Sequence, residues 1–264
     1  MPTIGLKLYL DNLHNEELFE SAIKALREGE FDYLEAYVRP GALQGFPQLR
    51  LNALMPFIRV VHAPHIGDDF DPARRYNWKA NLDRLNDSFS LADICDSDTI
   101  IIHPGLNHGP NALDANIEFL HVLNDPRIAI ENVPASSGRS ANHLGNTPDS
   151  ISRFLECLDI GFCFDFSHAV VAGLETHQNP HHHLAEFMAL QPRMYHLCDG
   201  LMGTARDLHW HLGQGDFPLP TFLDVVGDDR VSLETGISVP RPCLIEQRND
   251  AHRARQLASA QNAQ

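Results

Sequence analysis

No uninterrupted apolar run in this chain approaches the ~18 residues that a membrane span requires, and the first residues, MPTIGLKLYLDNLHNEEL, place no basic region ahead of an apolar stretch. The expectation is a soluble cytoplasmic protein with no membrane partner and no evident protein partner. Cysteine is scarce: Cys95, Cys157, Cys163, Cys198 and Cys243 form an odd set without CxxC spacing. That pattern suggests neither a disulfide framework nor a thiolate zinc site, and leaves reduced core residues as the reading. Basic residues are also in deficit, 20 Lys and Arg against 35 Asp and Glu, for a formal charge of −15. Such a charge opposes nonspecific attraction to nucleic acid or anionic membrane, although one face of the surface can still be positive. A Gly-rich first βα turn is missing too, which removes the usual mark of a nucleotide-binding doubly wound sheet.

What is present is a regular alternation. Runs rich in β-forming residues recur at 4–9, 32–37, 57–62, 99–103, 128–131, 161–165, 194–197 and 231–234. Segments with helix-like apolar spacing lie between them, at 16–27, 72–92, 112–123, 147–158, 182–190 and 219–226. Several strands are almost wholly apolar, as in FIRVV and TIII, which suits parallel strands buried on both faces. Eight βα units in 264 residues match the roughly 250 residues of a closed barrel. The predicted architecture is α/β, a single (β/α)8 TIM barrel domain spanning residues 1–264, with its site at the C-terminal ends of the strands.

Polar residues then appear where such a barrel places its chemistry. VVHAPH ends the third run, IIHPG the fourth, AIENVP the fifth, CFDFSH the sixth, MYHLCDG the seventh and SLET the eighth. They supply His62, His103, Glu131, Asp165, His168, His196 and Glu234. Asp207 and His209 follow in ARDLHWHLGQG, where alternate residues of an extended chain point the same way. Mixed imidazoles and carboxylates suit zinc first, with manganese or iron as alternatives, and disfavour a calcium or magnesium site. Packing nine such groups together without cations would leave carboxylates unpaired at a large desolvation cost, so more than one metal is the economical reading.

From strand three to strand eight the chain resembles the endonuclease IV group of apurinic/apyrimidinic endonucleases, within the wider xylose isomerase-like barrel superfamily. The resemblance rests on a histidine after strand three, HPG after four, EN after five, DxxHA after six, HL and an acid after seven, then DxH, GxG and LET. It implies a trinuclear zinc site: His62, His103 and Glu131 on one metal; Glu131, Asp165, His196 and Glu234 on a second, bridged by Glu131; His168, Asp207 and His209 on a third. It further implies phosphodiester hydrolysis through two to three metals, with Glu131 and Glu234 as catalytic carboxylates and abasic-site DNA as a candidate substrate. The N-terminal GLKLYLDNLHNEE departs from the small-residue opening of the repair enzymes. His65 stands where many members have tyrosine, and the following loop IGDDFD is acidic, so a smaller phosphorylated substrate stays open. Arg39, Arg74, Arg75, Arg139, Arg206 and Arg241 follow strand C-termini and could meet phosphates. The expected substrate contacts are Arg39, His65, Arg139, Arg206 and His211.

Blander readings stand beside these. Glu131, Asp165, His196 and Glu234 alone would serve a single-metal sugar isomerase, epimerase or dehydratase acting on a small sugar, with Glu131 and Glu234 moving protons. A noncatalytic metal-binding barrel is a third reading. His168, Asp207 and His209 separate these, unless they only clamp a loop. The tract His177, His181, His182 and His183 reads as a solvated helix start after Pro180. The run Arg74, Arg75, Lys79 and Arg84 is at least as well explained as an exposed helix face. Gly213 and Gly215 suggest either a phosphate cradle or merely a tight chain path.

Overall fold

The eight parallel strands close on themselves in chain order, β1 pairing with both β2 and β8. The structure is a computed structural model and describes residues 1–136, 142–237 and 243–261. The strands are β1 Thr3–Tyr9, β2 Tyr33–Tyr37, β3 Ile58–His62, β4 Thr99–Ile102, β5 Ile128–Glu131, β6 Gly161–Asp165, β7 Met194–Leu197 and β8 Arg230–Leu233. The helices around them are α1 Glu16–Arg27, α2 Gln48–Leu54, α3 Trp78–Cys95, α4 Ala112–Leu123, α5 Pro148–Cys157, α6 Phe166–Glu175, α7 Pro180–Met188, α8 Leu219–Val226 and α9 Ile245–Gln261. No helix among the described residues is long and apolar enough to cross a membrane.

Local chemistry sets the helix starts. Asn15, Thr147 and Asn179 each accept a backbone N–H at the head of α1, α5 and α7, and Pro148 and Pro180 occupy first-turn positions where a missing N–H costs nothing. The helix expected over 72–92 begins only at Trp78. Asp71 Oδ1 takes the N–H groups of Ala73 (3.3 Å) and Leu106 (3.2 Å), which holds the chain in a turn before the helix. The expected solvated start of α7 is half right. His182 is exposed and pairs with Glu186, but His183 is fully buried, its Nε2 3.1 Å from the Asn146 carbonyl. The five cysteines are free, as expected, yet Cys157 is exposed and Cys243 half-buried, so only Cys95, Cys163 and Cys198 are core residues.

Side chains of a strand alternate between faces, and this barrel uses the alternation strictly. In β6, GFCFD, Phe162 and Phe164 point outward to Phe187 of α7, with ring centroids 6.1 and 5.8 Å away. Cys163 and Asp165 point inward. The inner layer Tyr33, Val60, Ile101, Ala129, Cys163 and Met194 forms its own buried cluster. Gly5 leaves room for the Tyr33 ring, which a Cβ would meet at 2.3 Å, and the Tyr33 hydroxyl bonds Ser232 Oγ at 2.9 Å. This plug closes the barrel floor. Two residues further along each strand comes the next inward layer: Lys7, Glu35, His62, His103, Glu131, Asp165, His196 and Glu234.

Candidate metal centre

Six strands, and the residues that directly follow β4 and β8, thus each deliver one ionisable side chain to the same end of the barrel, one inward step beyond the apolar plug. Glu131 lies at the centre of this layer, fully buried. Its Oε2 meets His62 Nε2 at 3.1 Å and His103 Nε2 at 2.9 Å, while its Oε1 meets His196 Nδ1 and His168 Nδ1, each at 3.2 Å. One carboxylate therefore faces two separate groups of imidazoles, one per oxygen. His196 Nδ1 also faces Glu234 Oε2 at 3.1 Å and Asp165 Oδ2 at 3.8 Å.

Asp165 has two roles. Its Oδ1 caps α6 by accepting the His168 N–H at 2.8 Å, and its Oδ2 projects into the cluster, buried, without a hydrogen-bond partner. Asn132 fixes the backbone beneath it, accepting from the Asp165 N–H at 2.8 Å and donating to the Asp165 carbonyl at 2.9 Å.

The loop after β7 carries the remaining group. Asp199 N–H and carbonyl exchange hydrogen bonds with Trp210, at 2.9 and 3.0 Å, which closes the loop into a ring. The Asp199 carboxylate receives the N–H groups of Gly213 (2.6 Å) and Gly215 (3.0 Å). The glycines therefore cradle an internal carboxylate, and the phosphate-cradle reading of this GxG falls. Only glycine fits at 215, where a Cβ would lie 2.0 Å from the Gly200 carbonyl oxygen. The ring holds Asp207 Oδ2 between His209 Nε2 at 2.6 Å and His168 Nε2 at 3.2 Å, with Ser167 Oγ donating to Asp207 Oδ1 at 2.7 Å. His209 adopts a left-handed backbone with φ of 47°, a conformation that costs energy in a non-glycine residue.

The imidazoles are oriented by their far nitrogens. His62 Nδ1 faces the Ala63 carbonyl (2.9 Å), His168 Nδ1 the Asn132 carbonyl (2.9 Å) and His209 Nδ1 the Glu234 carbonyl (2.8 Å). A carbonyl accepts, so Nδ1 carries a proton in every state and Nε2 is the nitrogen left to face the carboxylates, as a proton donor without a metal and as the ligand atom with one. His196 is reversed: Nε2 faces Glu35 Oε2 at 3.0 Å and leaves Nδ1 to the cluster. Anchoring one nitrogen to free the other is how a protein presents a metal-ligating histidine. The ligand atoms fall into three groups, His62, His103 and Glu131; Glu131, Asp165, His196 and Glu234; and His168, Asp207 and His209, each within 4.8 Å of one another. Cys163 also approaches Glu131 and His196, but burial pushes its thiol up to about 12, so it is part of the plug and no thiolate.

Electrostatics describe the same excess of negative charge. Glu35, Glu131, Asp165, Asp207 and Glu234 crowd this end of the barrel, and the ammonium of Lys7 meets only Glu234 and Glu35 of them, with Glu131 nearby. Burial pushes the Asp165 carboxyl up to about 6, reinforced by Glu234, Asp207 and Glu131 against the opposing pull of His168. Burial works against charge on His168 as well, but Asp165 and Asp207 outweigh it and raise the ring well above its ordinary value. A set of buried carboxylates that draws protons onto imidazoles, with an orphaned oxygen at Asp165, fits divalent cations bound by mixed N and O donors.

Above the cluster the barrel opens into a cavity of about 490 Å³ lined in part by Lys7, Tyr9, Tyr37, His65 and Glu234. A second lobe of about 580 Å³ adjoins it, sharing His65, His103, His168 and Asp207 and carrying Arg206 on its wall. His65 accepts the Gly67 N–H on Nδ1 at 2.8 Å and stacks on His103, ring centroids 5.4 Å apart. Burial, then repulsion from His103 and His62, lowers its pKa to about 3. It is a neutral ring with an Nε2–H to donate. Arg39 pairs with Asp11 and lies over Tyr9, which places it beside the mouth, outside the lining. His211 is turned away from both lobes, its ring nitrogens 2.6 Å from Asp250 and 3.1 Å from Glu246. Arg139 and Arg241 lie outside the described residues.

The xylose isomerase-like TIM barrel family profile matches residues 50–256. This chain belongs to that family. A probable endonuclease 4 of Halothermothrix orenii is 26% identical over 175 residues, 60% of this chain and 62% of that protein. The chain thus covers less than two thirds of that relative. Endonuclease IV from Thermus thermophilus superposes with a TM-score of 0.68 at 17% identity, covering 98% of each chain. A D-tagatose 3-epimerase-like protein does so with a TM-score of 0.67 at 21% identity, covering 98% of this chain and 96% of that one. The xylose isomerase-like barrel therefore carries both kinds of name, and only the site can separate them.

Proposed function

We propose that this chain is a metal-dependent phosphodiester hydrolase of the endonuclease IV kind, using two to three zinc ions and cleaving DNA at abasic sites. The observation that carries the reading is the group His168, Asp207 and His209. Two imidazole Nε2 atoms converge on Asp207 Oδ2, and both rings are locked by backbone carbonyls. A sugar isomerase needs only Glu131, Asp165, His196 and Glu234 and has no use for a second assembly held by a strained His209. The kinship to a probable endonuclease 4 supports the same side.

Bound cations would supply hydroxide near neutral pH and offset charge on the phosphodiester oxygens. The chain's own residues arrange the rest. Glu131 offers one oxygen to each imidazole group and is placed to bridge them. Glu234 and Asp165 add the carboxylates facing His196. His65 donates a neutral N–H toward the cavity, and Arg206 supplies positive charge at the second lobe, where a phosphate would be drawn in.

The test is strand scission of an end-labelled duplex bearing one abasic site. Scission by zinc-loaded protein that chelator abolishes and zinc restores would support the reading. Protein holding two or three zinc ions that cleaves neither this duplex nor an activated phosphodiester would refute it.

A further inference from the structure

Two members of the polar layer, Lys7 on β1 and Glu35 on β2, belong to none of the three-residue or four-residue ligand groups. The Lys7 ammonium lies 2.6 Å from Glu234 Oε2 and 3.5 Å from Glu35 Oε1. The second separation is too long for a good charged hydrogen bond. Glu35 Oε1 is buried and has no hydrogen-bond partner, whereas Glu35 Oε2 is engaged with His196 Nε2. Glu35 thus has one oxygen in use and one idle. A buried carboxylate oxygen without a donor is costly and requires an explanation.

The groups facing Lys7 supply one. Glu234 directly after β8, Glu35 on β2 and Glu131 on β5 surround it and keep it charged despite burial. Its nearest contact, Glu234 Oε2, is the same oxygen that faces His196 Nδ1. A cation bound between Glu234 and His196 and the Lys7 ammonium would therefore claim one atom. We infer that Lys7 and Glu35 form an internal counter-cation switch, in which a divalent cation binding at Glu234 displaces the Lys7 ammonium from Glu234 Oε2 onto Glu35 Oε1. The inference rests on the reading of Glu234 as a metal ligand.

The movement is small. Rotation near the end of a flexible four-carbon stem shortens the 3.5 Å contact to an ordinary charged hydrogen bond of about 2.8 Å. It satisfies the idle oxygen of Glu35, and through Glu35 Oε2 it steadies the ring of His196. No charge leaves the site, so the positive charge released from Glu234 stays within reach of the carboxylates. Lys7 is a competitor for the metal position and Glu35 is its receiver. They are positioning residues for the metal.

That assignment makes opposite demands on the two side chains. Zinc affinity, measured by competition with a chromophoric chelator, is compared for wild type, Lys7→Met, Glu35→Gln and the double variant. Lys7→Met removes the competitor and tightens zinc binding by roughly tenfold; Glu35→Gln removes the receiver and weakens it by roughly 10- to 100-fold, the usual range for a lost outer contact. In the Lys7→Met background Glu35→Gln costs less, since only the His196 contact is then affected. Affinity changes of the same sign in the two single variants, or additivity in the double variant, overturn the switch. Should Lys7→Met not fold, Lys7→Gln removes the charge and keeps a hydrogen bond to Glu234. If wild-type protein takes up no zinc, the ligand reading of Glu234 fails as well. If zinc binds and the signs coincide, the switch alone fails.

Discussion

Replacing Asp165 by Asn separates what this residue does for the metal from what it does to the fold. Asn can still cap α6 through the oxygen that accepts the His168 N–H. What it removes is a buried charge. The Asp165 carboxyl is raised from 3.8 to about 6, by burial first and by neighbouring carboxylates second. A carboxyl raised by folding costs stability once it ionises: there is no penalty below about pH 4, and the full penalty applies above pH 6. The displacement corresponds to roughly 3 kcal/mol, which is several degrees of melting temperature for a domain of this size. In chelator, the stability gain of Asp165→Asn over wild type is therefore near zero at the acid end, grows through pH 5 to 6 and levels off by pH 7. With saturating zinc the order reverses, because the wild type gains binding energy that the variant lacks. Thermal melts from pH 4.5 to 8, with chelator and with zinc, read both effects. A variant less stable than wild type in chelator at pH 8, or one stabilised by zinc as strongly as wild type, would refute the reasoning.

Other outcomes follow from particular contacts. The pair Asp207→Asn and His209→Ala dismantles the outermost group, so metal content drops by one per chain in elemental analysis while the melting temperature in chelator changes little. Gly215→Ala drives a Cβ against the Gly200 carbonyl at 2.0 Å, costing roughly 1–3 kcal/mol in urea unfolding and loosening the loop that carries Asp207 and His209. Zinc affinity falls with acidification through the neutral range, by about tenfold per pH unit for each proton displaced. Protons on His168, held well above its ordinary value, compete with the metal throughout that range; a flat profile between pH 6 and 8 would contradict this. Phe164→Ala empties a site ringed by Phe166, Phe187 and Tyr195 and costs roughly 3–5 kcal/mol in equilibrium unfolding.

The barrel was legible because its strands are short, apolar and evenly spaced, and five of the expected helices begin and end within two residues of those observed. Three helices escaped notice for different physical reasons. α6 starts on the residue directly after the end of β6, so Asp165 closes a strand and caps a helix with no turn between them. α2 is only seven residues long, and α9 has few apolar residues to mark a face. The nine expected ligand-type residues are all drawn to one end of the barrel, where the sequence motifs cluster. Lys7 and Glu35 were missed although the signal was present. The step of two from plug to site, Ala129 to Glu131 or Met194 to His196, applies equally to Gly5 and Lys7 and to Tyr33 and Glu35. Counting that step from β1 would have found them. His211, expected as a substrate contact beside the loop ligands, has its ring held by the carboxylate of Asp250, on the last helix. Nothing in the local sequence announces a partner 39 residues away.

The central claim is that the strand ends hold a multinuclear metal site. It is tested most directly by elemental analysis of protein purified without chelator or metal-affinity tag and then equilibrated with zinc, expressed as moles of metal per chain. Two to three equivalents is the predicted result. A single equivalent that does not rise on further incubation with zinc or manganese would contradict it, and would leave only the four residues Glu131, Asp165, His196 and Glu234 with a metal to hold.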